Sequence, residues 1–269
     1  MSRYAAMFER CAAREEGVFG AYLMIGDPDA DRSAALLDAL AEGGADMVEL
    51  GIPFSDPVAD GPVIQAAGER ALRAGIRTAD CLRILADFRR RHPLIPIGIL
   101  TYANIVAARG VSVFARDLAS VGVDSLLVAD VPSLEAEPYA AAARAAGIDL
   151  VMIAAPNTPR ATLERIARLS SGYTYCVARP GVTGIRPTLQ IDHGELFRAL
   201  RELGAALPVI GFGISSPAHV REAIASGAAG AVSGSALVKL VAEGAGPVGL
   251  AALVRKLKAA TLPVEIALT

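Results

Sequence analysis

One phrase recurs along the 269-residue chain: an Ala-rich helical stretch, a glycine, one or two spacers, then a short apolar run. It reads Leu40-Ala-Glu-Gly-Gly44 before Met47-Val-Glu-Leu50, and Leu118-Ala-Ser-Val-Gly122 before Ser125-Leu-Leu-Val-Ala129. Arg144-Ala-Ala-Gly147 precedes Leu150-Val-Met-Ile-Ala154, and Ser170-Ser-Gly172 precedes Tyr173-Thr-Tyr-Cys-Val177. Glu202-Leu-Gly204 precedes Pro208-Val-Ile-Gly-Phe212, and Ile224-Ala-Ser-Gly227 precedes Gly230-Ala-Val-Ser-Gly234. Each glycine stands where a helix ends on a left-handed residue. The runs are continuously apolar rather than alternating, which marks strands buried on both faces of a parallel sheet. Phe19–Ile25 and Ile95–Thr101 bring the candidate strands to eight. Eight βα units at this length predict an α/β fold, a (β/α)8 TIM barrel forming a single domain over 1–269. A short helix over about 2–15 is expected ahead of the first strand. An open doubly wound sheet is the alternative, since it also alternates strand and helix. The one Rossmann-like string, Gly211-Phe-Gly213-Ile-Ser-Ser216, lacks a third glycine and comes too late to open a dinucleotide-binding half.

Composition narrows the function classes. Hydrophobic residues make up 53% and charged residues 20%, which excludes a disordered chain. A net charge of -2 argues against a nucleic-acid partner. Aromatics are 5% and Trp is absent, so the apolar content is mostly small aliphatic side chains. Met1 to Gly17 carries too many charges for a signal peptide, and no stretch reads as a membrane span. Cys11, Cys81 and Cys176 are scattered, odd in number and outside any CxxC spacing. A cytoplasmic protein with reduced thiols is expected.

In such a barrel, chemistry sits at the C-terminal ends of the strands. The lysines, at 239, 256 and 258, fall on late helical segments, which disfavours a Schiff-base mechanism. The histidines, at 92, 193 and 219, form no i,i+4 ligand pair, and no metal site is expected. They read as surface polar residues, and Arg89-Arg90-Arg91 as a solvated helix end. Carboxylates remain. Glu49 interrupts an apolar strand, where ionisation is costly and the pKa should rise toward the range useful for acid–base work. A structural, ion-paired carboxylate would look the same in sequence. Asp60 lies in Phe54-Ser-Asp56-Pro-Val-Ala-Asp60-Gly61-Pro62, a loop richer in carboxylates than a connector needs. A turn role for an Asp before Gly is the alternative.

A second group follows the last three strands: Gly181-Val-Thr183-Gly184, Gly211-Phe212-Gly213-Ile-Ser215 and Gly234-Ser235-Ala236. Glycines let backbone N–H groups approach an anion, and Ser235 can open a helix aimed at the same point. Singly these are tight turns; together they suggest a phosphate site. The residues alone describe a barrel enzyme that acts on a small phosphorylated compound by carboxylate acid–base catalysis.

Glu49 followed by Leu50-Gly-Ile-Pro53-Phe-Ser-Asp56-Pro-Val-Ala-Asp60-Gly61-Pro closely resembles the signature of tryptophan synthase α subunits. The resemblance runs along the whole chain, through Gly26-Asp27-Pro28, Tyr102-Ala-Asn104, Ala129-Asp130-Val-Pro132, Gly172-Tyr-Thr-Tyr175 and Ser233-Gly-Ser235. It implies retro-aldol cleavage of indole-3-glycerol phosphate to indole and glyceraldehyde 3-phosphate. On that resemblance Glu49 is the main acid–base residue, Asp60 stabilises charge at the indole N–H, and Tyr175 is an active-site tyrosine. Tyr22, Leu100, Leu127, Ala129 and Ile153 match positions lining the indole pocket. Thr183 lies in a closing loop, and Gly184, Gly211, Phe212, Gly213, Gly234 and Ser235 fall in the phosphate-binding stretches. Pro53 and Asp56 match part of the surface facing a β subunit in an α2β2 complex. No cofactor is expected in this chain, because pyridoxal phosphate would belong to the β subunit. Ala21, Met24, Thr101 and Pro180 depart from the usual family pattern without removing a carboxylate or a phosphate glycine. A stand-alone lyase and a non-catalytic paralogue that activates a β subunit are the other roles compatible with these motifs.

Overall fold

The computed structural model describes residues 2–177 and 193–262. In chain order it runs α1 (Arg3–Ala12), β1 (Val18–Met24), α2 (Ala30–Glu42), β2 (Met47–Gly51), α3 (Pro62–Arg73), α4 (Thr78–Arg91), β3 (Ile97–Thr101), α5 (Ala103–Arg109) and α6 (Val111–Ser120). There follow β4 (Ser125–Val128), α7 (Glu137–Ala146), β5 (Asp149–Leu150), β6 (Met152–Ala154), α8 (Arg160–Leu169), β7 (Thr174–Val177) and α9 (Gly194–Glu202). The last elements are β8 (Pro208–Gly211), α10 (Pro217–Ala225), β9 (Gly230–Ser233), α11 (Ser235–Ala242) and α12 (Pro247–Lys258).

The strands pair in parallel in the order β5-β4-β3-β2-β1-β9-β8-β7-β6. The two ends of this order are adjacent in the chain. Only Val151 separates β5 from β6, and its N–H still bonds to the Leu126 carbonyl at 2.9 Å. The fifth apolar run thus passes from one neighbour to the other: Asp149 and Leu150 pair with β4, and Met152 to Ala154 pair with β7. The sheet is a barrel, and the expected fifth strand is real but divided. Helices pack outside it. Pro62, Pro217 and Pro247 open α3, α10 and α12, where their fixed φ suits a first turn. Gly44, Gly122, Gly147, Gly172, Gly204 and Gly227 all have positive φ, as the repeated phrase requires.

The N-terminal end of the barrel is closed by side chains. α1 buries Tyr4, Met7 and Cys11, and Tyr4 Oη meets Ser125 Oγ at 2.8 Å at the start of β4. Arg89 does not lie on a solvated face. It is only 11% exposed, and it donates to the carbonyls of Gly122 and Ile95 and to Asp124. Arg90 does remain exposed. Lys258 bridges Glu16 and Asp46, each at 2.8 Å. The histidines also correct the surface reading. His193 and His219 are buried, and His92 is paired with Asp38 at 2.8 Å. Each sits near a helix end, where an imidazole reaches a backbone or carboxylate partner. The three lysines do lie on helices, on α11 and α12. Among the described residues, no helix is long and apolar enough to cross a membrane.

Closure forces β1 against β9. Gly230 pairs with Val18 on one side and Val209 on the other. A β-carbon at Gly230 would lie 2.7 Å from the Val18 carbonyl oxygen, a backbone atom that cannot turn aside. Gly230→Ala is therefore expected to cost roughly 1–3 kcal/mol of stability, as overpacking does. Equilibrium denaturant unfolding measures it, and an unchanged midpoint would contradict this account of the closure.

Candidate active site

The strand register brings Tyr22 of β1 beside Glu49 of β2, and Glu49 beside Gly98 of β3. Glu49 points into the barrel interior and is 2% exposed. Its Oε1 accepts a 2.7 Å hydrogen bond from Tyr173 Oη. The missing side chain at Gly98 leaves room for this arrangement, since a β-carbon there would crowd the Tyr4 and Ser125 hydroxyls. Burial pushes the Glu49 pKa up to about 7, while the Tyr173 hydrogen bond pulls it the other way.

Asp60 closes the loop after β2. Its N–H bonds to the Pro57 carbonyl at 3.1 Å, and its carbonyl accepts from Gln65 Nε2 at 2.8 Å. It is therefore a turn residue, as one reading of the sequence had it. Its carboxyl nevertheless lies in the same cavity as Glu49 and is 6% exposed. Burial raises its pKa to about 6, and the neighbouring Tyr102 hydroxyl, short of full hydrogen-bond geometry, opposes the shift.

The opposite wall is built from the loops after β8 and β9. Gly211, Phe212 and Gly213 end β8, with Phe212 at φ 69 and Gly213 at φ 81. A phenylalanine in the left-handed region is strained, and such strain concentrates at functional sites. Tyr175 fills the place a side chain at Gly211 would take. Gly234 and Ser235 open α11, whose N-terminus has no side-chain cap, and both residues line the cavity. The two loops are tied together: Ser233 Oγ donates to the Ile214 carbonyl at 2.7 Å. His219 Nδ1 also accepts from the Ser215 N–H at 3.3 Å.

These groups enclose a cavity of about 450 Å³, its open mouth included. Of the residues expected from sequence, Tyr22, Glu49, Asp60, Leu100, Tyr175, Phe212, Gly213, Gly234 and Ser235 line it. Gly211 lies directly behind Tyr175. Ala129 and Ile153 line a second recess, between the end of β4 and α8, while Leu127 is buried in the wall without lining either. Thr183 and Gly184, with Pro180, fall outside the described residues. Pro53 is buried in the loop after β2, and Asp56 is exposed on it. Ser215, part of the glycine-rich stretch after β8, lines the cavity as well, whereas sequence reasoning did not single out Tyr173, Ile64 or Val232 as site residues. Tyr173 was within reach, because period-2 alternation places it on the same face as Tyr175. Ile64 belongs to the first turn of α3, and no motif marks it.

A closed parallel barrel that holds two buried carboxyls opposite an uncapped helix N-terminus is an enzyme of the acid–base type, fitted to an anionic substrate. Comparison with known proteins agrees and is more specific. The family model described as "Tryptophan synthase alpha chain" matches residues 8–262. The tryptophan synthase alpha chain of Shewanella amazonensis is 49% identical over 241 residues, covering 90% of this chain and 91% of its own. That of Cronobacter sakazakii is 47% identical over 268 residues, covering 98% and 100%. A solved structure of Mycobacterium tuberculosis tryptophan synthase superposes with a TM-score of 0.89 at 33% identity, covering 97% of this chain and 99% of that one. The chain belongs to the tryptophan synthase alpha chain family, a family of lyases that cleave indole-3-glycerol phosphate.

The raised Glu49 pKa makes stability depend on pH. Because the folded-state value lies above the unfolded one, the Glu49 contribution is intact below about pH 4.5 and is lost as pH rises through about 7. Glu49→Gln removes that dependence. Its stability relative to the unsubstituted chain should therefore climb between those limits and then level off, by roughly 3 kcal/mol in all. Denaturant unfolding across that pH range measures the difference, and a difference constant with pH would rule out desolvation as the cause.

Proposed function

We propose that this cavity carries out the family's cleavage with Glu49 as the proton-transfer group, Asp60 as the partner of the indole N–H, and the Gly213, Gly234 and Ser235 N–H groups as the phosphate anchor. The observation that carries the reading is the placement of a Glu49 carboxyl with a pKa of about 7 in the same cavity as a second carboxyl and an uncapped helix N-terminus. A group with that pKa both gives and accepts a proton near neutrality. Glu49 protonates indole C3. The bond from C3 to the glycerol chain then breaks, and its electron pair returns to the ring. The adjacent chain hydroxyl gives its proton to the Glu49 carboxylate left by the first transfer, and its oxygen becomes the aldehyde oxygen. Asp60, less buried and of lower pKa, stays ionised and balances the positive charge on the ring nitrogen. Tyr175 packs edge-on to Phe212 at 5.6 Å and braces the wall against which the ring would lie. Thr183 and Gly184, from the segment outside the described residues, complete the site on the family pattern.

The partner in this reading is a β subunit that receives indole and holds pyridoxal phosphate. The stretch after β2 supports it: Pro53 is buried, but Asp56 and, two residues further on, Val58 are exposed, and Phe54 stacks on Tyr102 at 5.3 Å, beside Asp60. The place of action assigned to the chain is the cytoplasm.

Glu49→Gln is expected to abolish indole release while keeping affinity for an unreactive phosphate analogue, because the carboxyl transfers protons and the phosphate is held elsewhere. An indole-release assay, run with and without a β subunit, decides this, and turnover near that of the unsubstituted chain would remove Glu49 from the mechanism. The same assay separates a stand-alone lyase from one that needs its partner. Ser235→Asp places a negative charge at the anion end and should weaken analogue binding by at least tenfold, or about 1.4 kcal/mol. Titration calorimetry with the analogue measures it, and an unchanged Kd would refute the phosphate placement.

A further inference from the structure

We propose that the Tyr22 hydroxyl is a further catalytic group of this site, donating a hydrogen bond to the substrate oxygen that becomes the aldehyde oxygen. The proposal rests on the cleavage reading above. Tyr22 stands on β1 in register with Glu49, and its ring spans the cavity wall. At one end the ring packs on Gly234, where a β-carbon would lie 3.3 Å from Tyr22 Cδ1. At the other end the hydroxyl occupies the space that a side chain at Gly51 would need. The ring thus runs from the anion loops to the carboxyl end, with its polar tip at the carboxyl end.

That tip has no partner among the described residues. Tyr22 is 5% exposed, its hydroxyl oxygen is fully buried, and no hydrogen bond reaches it. Burial, then the charges of Asp60 and Glu49, raise its pKa far above the ordinary tyrosine value, so it keeps its proton. It is therefore a donor beside two carboxyls that accept when ionised, and, unlike the Tyr175 phenol that lines the same cavity, its hydroxyl is both buried and unpartnered among the described residues. An orphaned buried hydroxyl is destabilising, and phenylalanine would cover the same wall without that cost. The hydroxyl is explained if the ligand brings an acceptor.

Donor–acceptor complementarity selects the atom. The ring nitrogen of the substrate carries a proton and donates. Apart from the phosphate, the acceptors are the hydroxyl oxygens of the glycerol chain. One of these lies at the carbon whose bond to indole C3 breaks. Its O–H proton passes to Glu49, the O–H electron pair forms the C=O bond, and the C–C pair returns to the ring. Negative charge gathers on that oxygen during the step, so a fixed O–H donor beside Glu49 binds it more strongly in the transition state than in the ground state.

Tyr22→Phe deletes one oxygen atom and keeps the ring. In the full chain, alone and with a β subunit, single-turnover cleavage of indole-3-glycerol phosphate should slow about tenfold. Affinity for an indolyl propyl phosphate, which lacks the chain hydroxyls, should not change. The thermal midpoint should hold or rise, because an unpaired polar group has been removed. Cleavage at the unsubstituted rate overturns the proposal and leaves the Glu49 mechanism standing. Loss of analogue affinity equal to the loss in rate also overturns it, since Tyr22 would then be a packing residue. If the unsubstituted chain itself releases no indole, the cleavage reading fails and this proposal fails with it.

Discussion

Closure of the parallel ladder is the constraint from which the site follows. A parallel sheet left open exposes two edges of unpaired N–H and C=O groups. Here the chain between Asp149 and Ala154 pairs with β4 through its first half and with β7 through its second, with Val151 as the joint. The interior is then sealed from the side. Any polar group on an inward-facing strand position must find a partner inside or reach the C-terminal mouth. Glu49 is in that position. The closed wall removes water from it, the loss of water raises its pKa, and Tyr173 supplies a hydrogen bond that helps the carboxyl remain.

The two ends of the barrel solve different problems. At the N-terminal end, charges are paired and fixed: Arg89 and Arg3 meet Asp124, and Lys258 meets Asp46 and Glu16. Asp124 also accepts the Ile97 N–H, so this ionic cluster is continuous with the sheet. At the C-terminal end the pattern is reversed. The α11 N–H groups lack a side-chain cap, Phe212 is held at positive φ, and Tyr22 Oη and Tyr102 Oη are buried without partners among the described residues. The rigid end holds the strands in register, and the strained, unsatisfied end is where a ligand has something to gain.

Most of the barrel was readable because its signals are local. A helix that ends on a left-handed glycine, followed by an apolar strand, marks itself at each repeat, and all six glycines named from sequence have positive φ. Glu49 was readable because a carboxylate in an apolar run violates a local rule. The failures were of another kind. His193 and His219 look like surface residues in sequence, yet His193 bonds to the Val177 carbonyl and His219 to Ser215. Arg89, first of a basic run that reads as a solvated helix end, takes partners at residues 95, 122 and 124. Burial of a polar residue is decided by partners distant in sequence, and a single sequence does not state them. Leu127, Ala129 and Ile153 carried positions from a resemblance, and here they stand in the wall or in a second recess.

Burial raises both carboxyls by a similar amount, against one opposing tyrosine hydroxyl each, and the order between them keeps the ordinary order of Glu above Asp. Glu49 sits in mid-strand, enclosed by neighbouring strands and hydrogen-bonded to the Tyr173 phenol, with its pKa pushed up to about 7. Asp60 sits on a loop at the mouth, somewhat more exposed, and titrates at about 6. With the higher pKa, Glu49 is the more protonated of the two near neutrality. In the cleavage proposed above, the acid serves the ring carbon and the negative charge the ring nitrogen, which is the polarity that reaction demands. The barrel therefore contributes to catalysis chiefly by setting how far each carboxyl stands from water.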